Sequence, residues 1–139
     1  MGDRSTTIFV AEYDGKLFYS AGVYTHWCGS VTLDFIKETF ANEYYRDADP
    51  DYAAARFCGF CHEQTKHSMP TGLGLVNVDN EKVRTFTHKQ WVDWGPGDAG
   101  VFIVNTDTWQ VTIHDYDGEK TIDLSSPLKK LVKRVNGTG

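Results

Sequence analysis

The sequence contains no apolar run near the roughly 18 residues that a membrane-spanning helix needs, so no membrane partner is expected. Cysteine is scarce, with 3 residues in the chain, an odd number at low density. That excludes a scaffold built on disulfides and favours a reducing, cytoplasmic setting. The opening Met-Gly-Asp-Arg-Ser-Thr-Thr lacks the apolar core of a secretory leader. Met1-Gly2 resembles a myristoylation start, but acidic Asp3 and the lack of an amphipathic anchor argue against one. Basic residues are outnumbered, 14 Lys and Arg against 19 Asp and Glu, for a net charge of −5. A duplex nucleic acid needs a basic face, so no such partner is expected. Lys129, Lys130, Lys133 and Arg134 cluster locally and read as a solvated last helical turn. No internal repeat and no low-complexity linker interrupt the chain.

What is present suits one α+β domain over residues 1–139. Apolar residues make up 40% of the chain, enough for a core, and aromatics reach 14%. Most aromatics should fill that core, and the rest can line a pocket or a subunit contact. Thr6 to Tyr13 is β-branched and aromatic and reads as a strand. Asp14-Gly15 is a hairpin signal, because a type I′ turn needs positive φ at both central residues. Leu17 to Thr25 returns as a second strand with neither face purely polar.

Leu33, Ile36 and Phe40 share one helical stripe, predicting a helix from about Thr32 to Tyr44. Asp49 as N-cap and Pro50 at the first position open a second helix ending by about Thr65. Gly59 inside it is read as a point of close packing against the first helix. Strands are expected at Leu73–Val78, Val101–Asn105, Gln110–Asp115 and Lys120–Leu124, with Val83–Thr87 as a short partner strand. Gln90 to Asp98 reads as a loop rich in tryptophan and glycine, and Leu128–Val135 as a short C-terminal helix. The expected order is ββαα followed by ββββ, an antiparallel sheet with two helices packed on one face.

The chemistry-bearing stretch is Gly22-Val-Tyr-Thr-His-Trp-Cys-Gly-Ser30, at a strand-to-helix junction where side chains are readily presented. His26 and Cys28 lie two apart, on one face of an extended chain, but no orienting acid or oxyanion donor accompanies them. A hydrolase using Thr7 as nucleophile would need a free α-amine, and nothing argues for removal of the preceding residues. Cys58-Gly-Phe-Cys61-His62 matches a haem-attachment pattern, which would require export. A redox pair would sit at a helix N-terminus, whereas this one falls late in a predicted helix. Zinc suits the spacing, with His62, His67, His26 or Cys28 to complete a site, but there is no second Cys pair. The preferred reading is core cysteine, with no metal and no cofactor.

Ligand binding asks for less. Tyr24, His26 and Trp27 can stack on or hydrogen-bond a base. Arg4, Arg56, Lys66 and His67 can meet phosphates. Thr71 and the glycines at 72 and 74 would let a ligand approach the backbone. A homo-oligomer is expected, to bury pockets and protect sheet edges.

Arg4-Ser5, Val23-Tyr-Thr-His-Trp-Cys-Gly29, Asp49-Pro-Asp-Tyr52 with Arg56, and Thr71-Gly-Leu-Gly74 occur in an order that resembles a loose group of small bacterial and phage proteins. That group opens with an N-terminal Arg and carries a Tyr-x-His-x-x-Gly junction. An acidic, Pro-capped helix, a Thr-Gly-x-Gly loop and a closing pair of strands follow. Cys28 stands where the group usually has aspartate. The resemblance implies an accessory protein of a phage or prophage, working in the host cytoplasm. Small phage proteins often act by binding, some by sequestering nucleotide immune signals and others by blocking host proteins. The reading is therefore a non-enzymatic binder of a small anionic, nucleotide-like ligand. The alternatives are a hydrolase or lyase with His26 as acid/base, and a protein–protein inhibitor using the tryptophan loop.

Overall fold

A computed structural model describes residues 3–42, 46–67, 72–95 and 98–124. The elements run β1 (Ser5–Tyr13), β2 (Lys16–Tyr19), β3 (Gly22–Thr25), a 3-10 turn (Gly29–Val31), α1 (Thr32–Asn42) and α2 (Pro50–Thr65). Then come β4 (Leu73–Val76), α3 (Asn80–Val83), α4 (His88–Trp94), β5 (Gly100–Asn105), β6 (Gln110–Asp115) and β7 (Gly118–Asp123). One 7-stranded sheet has the order β4-β3-β1-β5-β6-β7, with β2 also paired to β1. Only β1 and β5 run parallel among its pairs; the fold is α+β with a mostly antiparallel sheet. Among the described residues no helix is long and apolar enough to cross a membrane.

The first hairpin follows the turn chemistry. Asp14 and Gly15 have φ of 54° and 77°, both positive as a type I′ turn requires. The return strand is not continuous, however. β2 pairs Tyr19 with Val10, and β3 pairs Val23 with Thr7, so the returning chain carries one extra residue. Ser20 takes up the slack: its Oγ accepts from Phe9 N at 3.0 Å, while its own N donates to Phe9 O at 2.8 Å. This bulge reverses the facing of every later side chain, which is why Leu17 to Thr25 shows no clean alternation. It turns Val23 toward the helix pair and Tyr24 toward the opposite face.

α1 and α2 cover one face, packing Ile36, Phe40 and Phe57 onto Phe9, Val23, Phe102 and Val104. Phe9 meets Phe40 and Phe57 edge-on, with centroids 5.7 and 5.9 Å away. The N-cap of α2 is as the sequence implies, Asp49 accepting from Tyr52 N at 3.2 Å with Pro50 in the first turn. Such a cap contributes about 1 kcal/mol. Gly59 is a correction: it is exposed, and a Cβ there would meet nothing within 4 Å, so it marks no close packing.

Two expectations fail on the other face. Val83–Thr87 is not a strand, and the expected loop from Gln90 is helix as far as Trp94. Local capping explains both. Asp79 accepts from Glu81 N and Lys82 N to start α3. Thr87 and Gln90 form a reciprocal capping box that starts α4. Helices therefore cover both faces of the sheet, and the order is three strands, two helices, one strand, two short helices, three strands. The second cluster joins Ile8 and Val101 of the sheet to Val83 and Trp91. The predicted C-terminal helix, Leu128–Val135, lies outside the described residues, as does Tyr44 at the predicted end of α1.

Candidate functional site

The junction after β3 gathers side chains from three segments. Tyr24 and His26 lie two apart, and the Tyr24 hydroxyl is 2.7 Å from His26 Nδ1. The His26 ring meets Trp27 edge-on at 4.3 Å between centroids, with 85° between planes. Trp27 nevertheless remains 47% exposed. Gly72 closes the back of this group: its carbonyl accepts from His26 N at 3.2 Å. A Cβ at Gly72 would stand 2.7 Å from His26 Cβ, and its φ is +64°, so the position demands glycine twice over.

Arg4, immediately before β1, donates from Nη2 to Asp98 Oδ1 at 3.2 Å. Asp98 holds the guanidinium above its already high pKa, with a smaller contribution from the Tyr24 hydroxyl. Arg4 Nε is buried and has no hydrogen-bond partner among the described residues. Arg4, Tyr24, His26 and Trp27 thus form one group with aromatic surface and a charged donor.

The other predicted phosphate contacts do not join it. Arg56 sits on α2, which packs on the opposite face, and donates to Tyr52 Oη from Nε and Nη2 at 3.0 and 2.6 Å. Its guanidinium carbon lies 5.0 Å from the Tyr52 ring centroid, and that of Arg46 4.6 Å. Lys66 lies ten positions further along, roughly 15 Å up the helix axis, and pairs with Glu63 at 3.0 Å. His67 is exposed in the turn that follows α2. Arg56 and Lys66 are thus not brought together around one phosphate. Thr71 lies outside the described residues.

Cys58 and Cys61 fit the core reading. Cys61 is 1% exposed within the helix-side cluster, Cys58 packs against it, and burial pushes the Cys61 thiol up to about 12. A thiol so raised is a poor nucleophile at neutral pH. Trp91, assigned from sequence to a loop, is 4% exposed on α4 and stacks near-parallel to His114 at 6.1 Å. A buried Trp91 takes the centre out of the proposed tryptophan contact loop.

Sequence reasoning missed a third group. His88 opens α4, and His114 and Glu119 face each other across β6 and β7. The two Nδ1 atoms are 2.9 Å apart, and His114 Nδ1 is 3.6 Å from Glu119 Oε1. Burial pushes the His114 imidazole below its usual pKa, while Glu119 and Asp115 pull the other way. Register explains the grouping: Tyr24, Thr6, Val101, His114 and Glu119 form one row across β3, β1, β5, β6 and β7. Tyr24 and His114 are three strand spacings apart, about 14 Å, with buried Thr6 and Val101 between them. The one available signal was the Thr87-x-x-Gln90 capping box, which marks a helix beginning at His88. No protein-family model, curated protein or solved structure matches this chain.

Proposed function

We propose that the protein binds and sequesters a small anionic, nucleotide-like ligand at Arg4, Tyr24, His26 and Trp27, without chemical turnover. The observation that carries this reading is Trp27. A large ring left 47% exposed beside an imidazole is suited to stacking on a base, and the Tyr24 hydroxyl that meets this imidazole also interacts with Arg4. The Arg4–Asp98 pair is part-exposed, 36% and 45%, so an incoming anion can compete for the guanidinium. Arg56, Lys66 and His67 lie outside the ligand contacts in this reading. The phage or prophage setting, and with it a host immune signal as ligand, is supported by the motif resemblance alone. Homo-oligomer formation belongs to the same proposal; edge strand β4, where Leu75 is 70% exposed, is surface that a second copy would cover.

The test is calorimetric titration of the chain with a panel of linear and cyclic nucleotides. Trp27→Ala should weaken the best ligand about 30-fold, the middle of the range for base–aromatic stacking, and Arg4→Ala should weaken it comparably. The ligand should be recovered intact by mass spectrometry. Recovery of a cleaved product would replace the binder with a hydrolase or lyase, for which the Tyr24–His26 contact offers a positioned imidazole. No binding across the panel, or binding unaffected by both substitutions, would overturn the assignment.

A further inference from the structure

We propose that His88, His114 and Glu119 bind a divalent transition-metal ion of the zinc class, in a site with open coordination positions. This site is separate from the Trp27 group, so either proposal can fail alone.

The donors come from α4, β6 and β7, and their ligand atoms all lie within 4.8 Å of one another. Among the described residues no other set of three His, Cys, Asp or Glu meets that condition. Metal–nitrogen bonds of about 2.1 Å place two donor nitrogens roughly 3.0–3.4 Å apart at octahedral to tetrahedral angles. The observed 2.9 Å between the Nδ1 atoms is a few tenths of an ångström from that spacing. Two nitrogen donors and one carboxylate are the ligand types zinc takes in catalytic sites, where three protein ligands leave room for water or a substrate.

The surroundings hold each donor in place, as metal sites require. The strand register sets His114 directly opposite Glu119. The Trp91 ring lies 22° from parallel with His114, and the Thr87–Gln90 capping box fixes the backbone that carries His88. His114 is buried while the Glu119 side chain is 53% exposed, so the ion and its remaining ligands would enter from the Glu119 side.

The experiment uses the full chain after treatment with a chelator, titrated with Zn²⁺ by calorimetry and with Co²⁺ by visible absorption. One equivalent should bind, and Co²⁺ should show d–d bands with no thiolate charge-transfer band, because no sulfur belongs to the set. Zn²⁺ should also raise the melting temperature, since it binds the folded chain. His88→Ala and Glu119→Gln should each lower affinity by about tenfold or more, the scale seen even for outer-shell changes at metal sites. Both residues lie outside the main core, and circular dichroism would check that both variants fold. No stoichiometric binding would overturn the site and leave a histidine–histidine hydrogen bond. A thiolate band, or affinity unchanged in both variants, would equally overturn it by placing the metal elsewhere.

Discussion

The two faces of the sheet are built differently. Under α1 and α2 the core is aliphatic and aromatic, with Phe9 edge-on to Phe40 and Phe57 and Trp109 against Phe40. Under α3 and α4 the contacts join Tyr19, Phe86, Trp91 and Trp94 to His88 and His114. The first face is closed by helices of 11 and 16 residues, the second by helices of 4 and 7. Long helices bury a wide stripe and leave little polar surface at the sheet. Short ones cover only part of it, so titratable side chains can reach the sheet and remain close to water. Arg4, Tyr24, His114 and Glu119 all belong to this second face. The larger apolar core lies on the first side, and both proposed ligand sites lie on the second.

The division can be broken by substitution. Phe57→Ala, which opens a cavity beneath α2, should cost about 3–5 kcal/mol in denaturant unfolding. The folded fraction should keep its Co²⁺ spectrum and its nucleotide affinity. If ligand affinity collapses with stability, the faces are coupled and the division is wrong.

A smaller effect is expected at Gly72→Ala. A non-glycine residue held at positive φ costs roughly 1–2 kcal/mol, and the added Cβ would stand 2.7 Å from His26 Cβ. Trp27 fluorescence should shift and nucleotide affinity should fall, with metal binding unaffected. An unaltered Trp27 spectrum would separate the loop from the site.

The sharpest contrast pairs two helix caps of similar worth. Thr87→Ala and Asp49→Ala should each cost about 1 kcal/mol. Only Thr87→Ala should also lower Zn²⁺ affinity, because its helix carries His88. Equal affinity in the two variants would mean that the cap does not position His88.

The smallest perturbation is chemical. At neutral pH in the folded protein, Cys61 should be alkylated far more slowly than Cys58, because burial holds its thiol near 12. Peptide mapping after timed iodoacetamide treatment would check this. Equal rates would show that the helix face opens readily.

How much of this was legible beforehand differed between the faces for the same reason. Leu33, Ile36 and Phe40 repeat at helical spacing, and Asp49-Pro50 announces a helix start, so α1 and α2 could be read from local pattern. α3 and α4 are too short for periodicity to register. Val83 and Phe86 carry strand propensity, and the glycines after Trp94 suggest a loop; the caps at Asp79 and Thr87 and tertiary packing overrode both. Within the candidate site, Tyr24, His26 and Trp27 were visible as neighbours in the chain. Arg4 was visible only as a cation, and its place beside Tyr24 comes from the fold. His88, His114 and Glu119 are separated by 26 and 5 positions and carry no spacing motif.

The sequence by itself determined the α+β class, the Asp14-Gly15 turn, the capped helix at Asp49 and the aromatic junction at Tyr24 to Trp27. Each of these is set by residues within a few positions of one another, where backbone preference and side-chain caps act. Only the tertiary structure decided the bulge at Ser20, the parallel pairing of β1 with β5, and the row joining Tyr24 to Glu119. Those depend on strand register: one extra residue exchanges a strand's faces, and the local pattern shows only a lost alternation, not where the bulge sits.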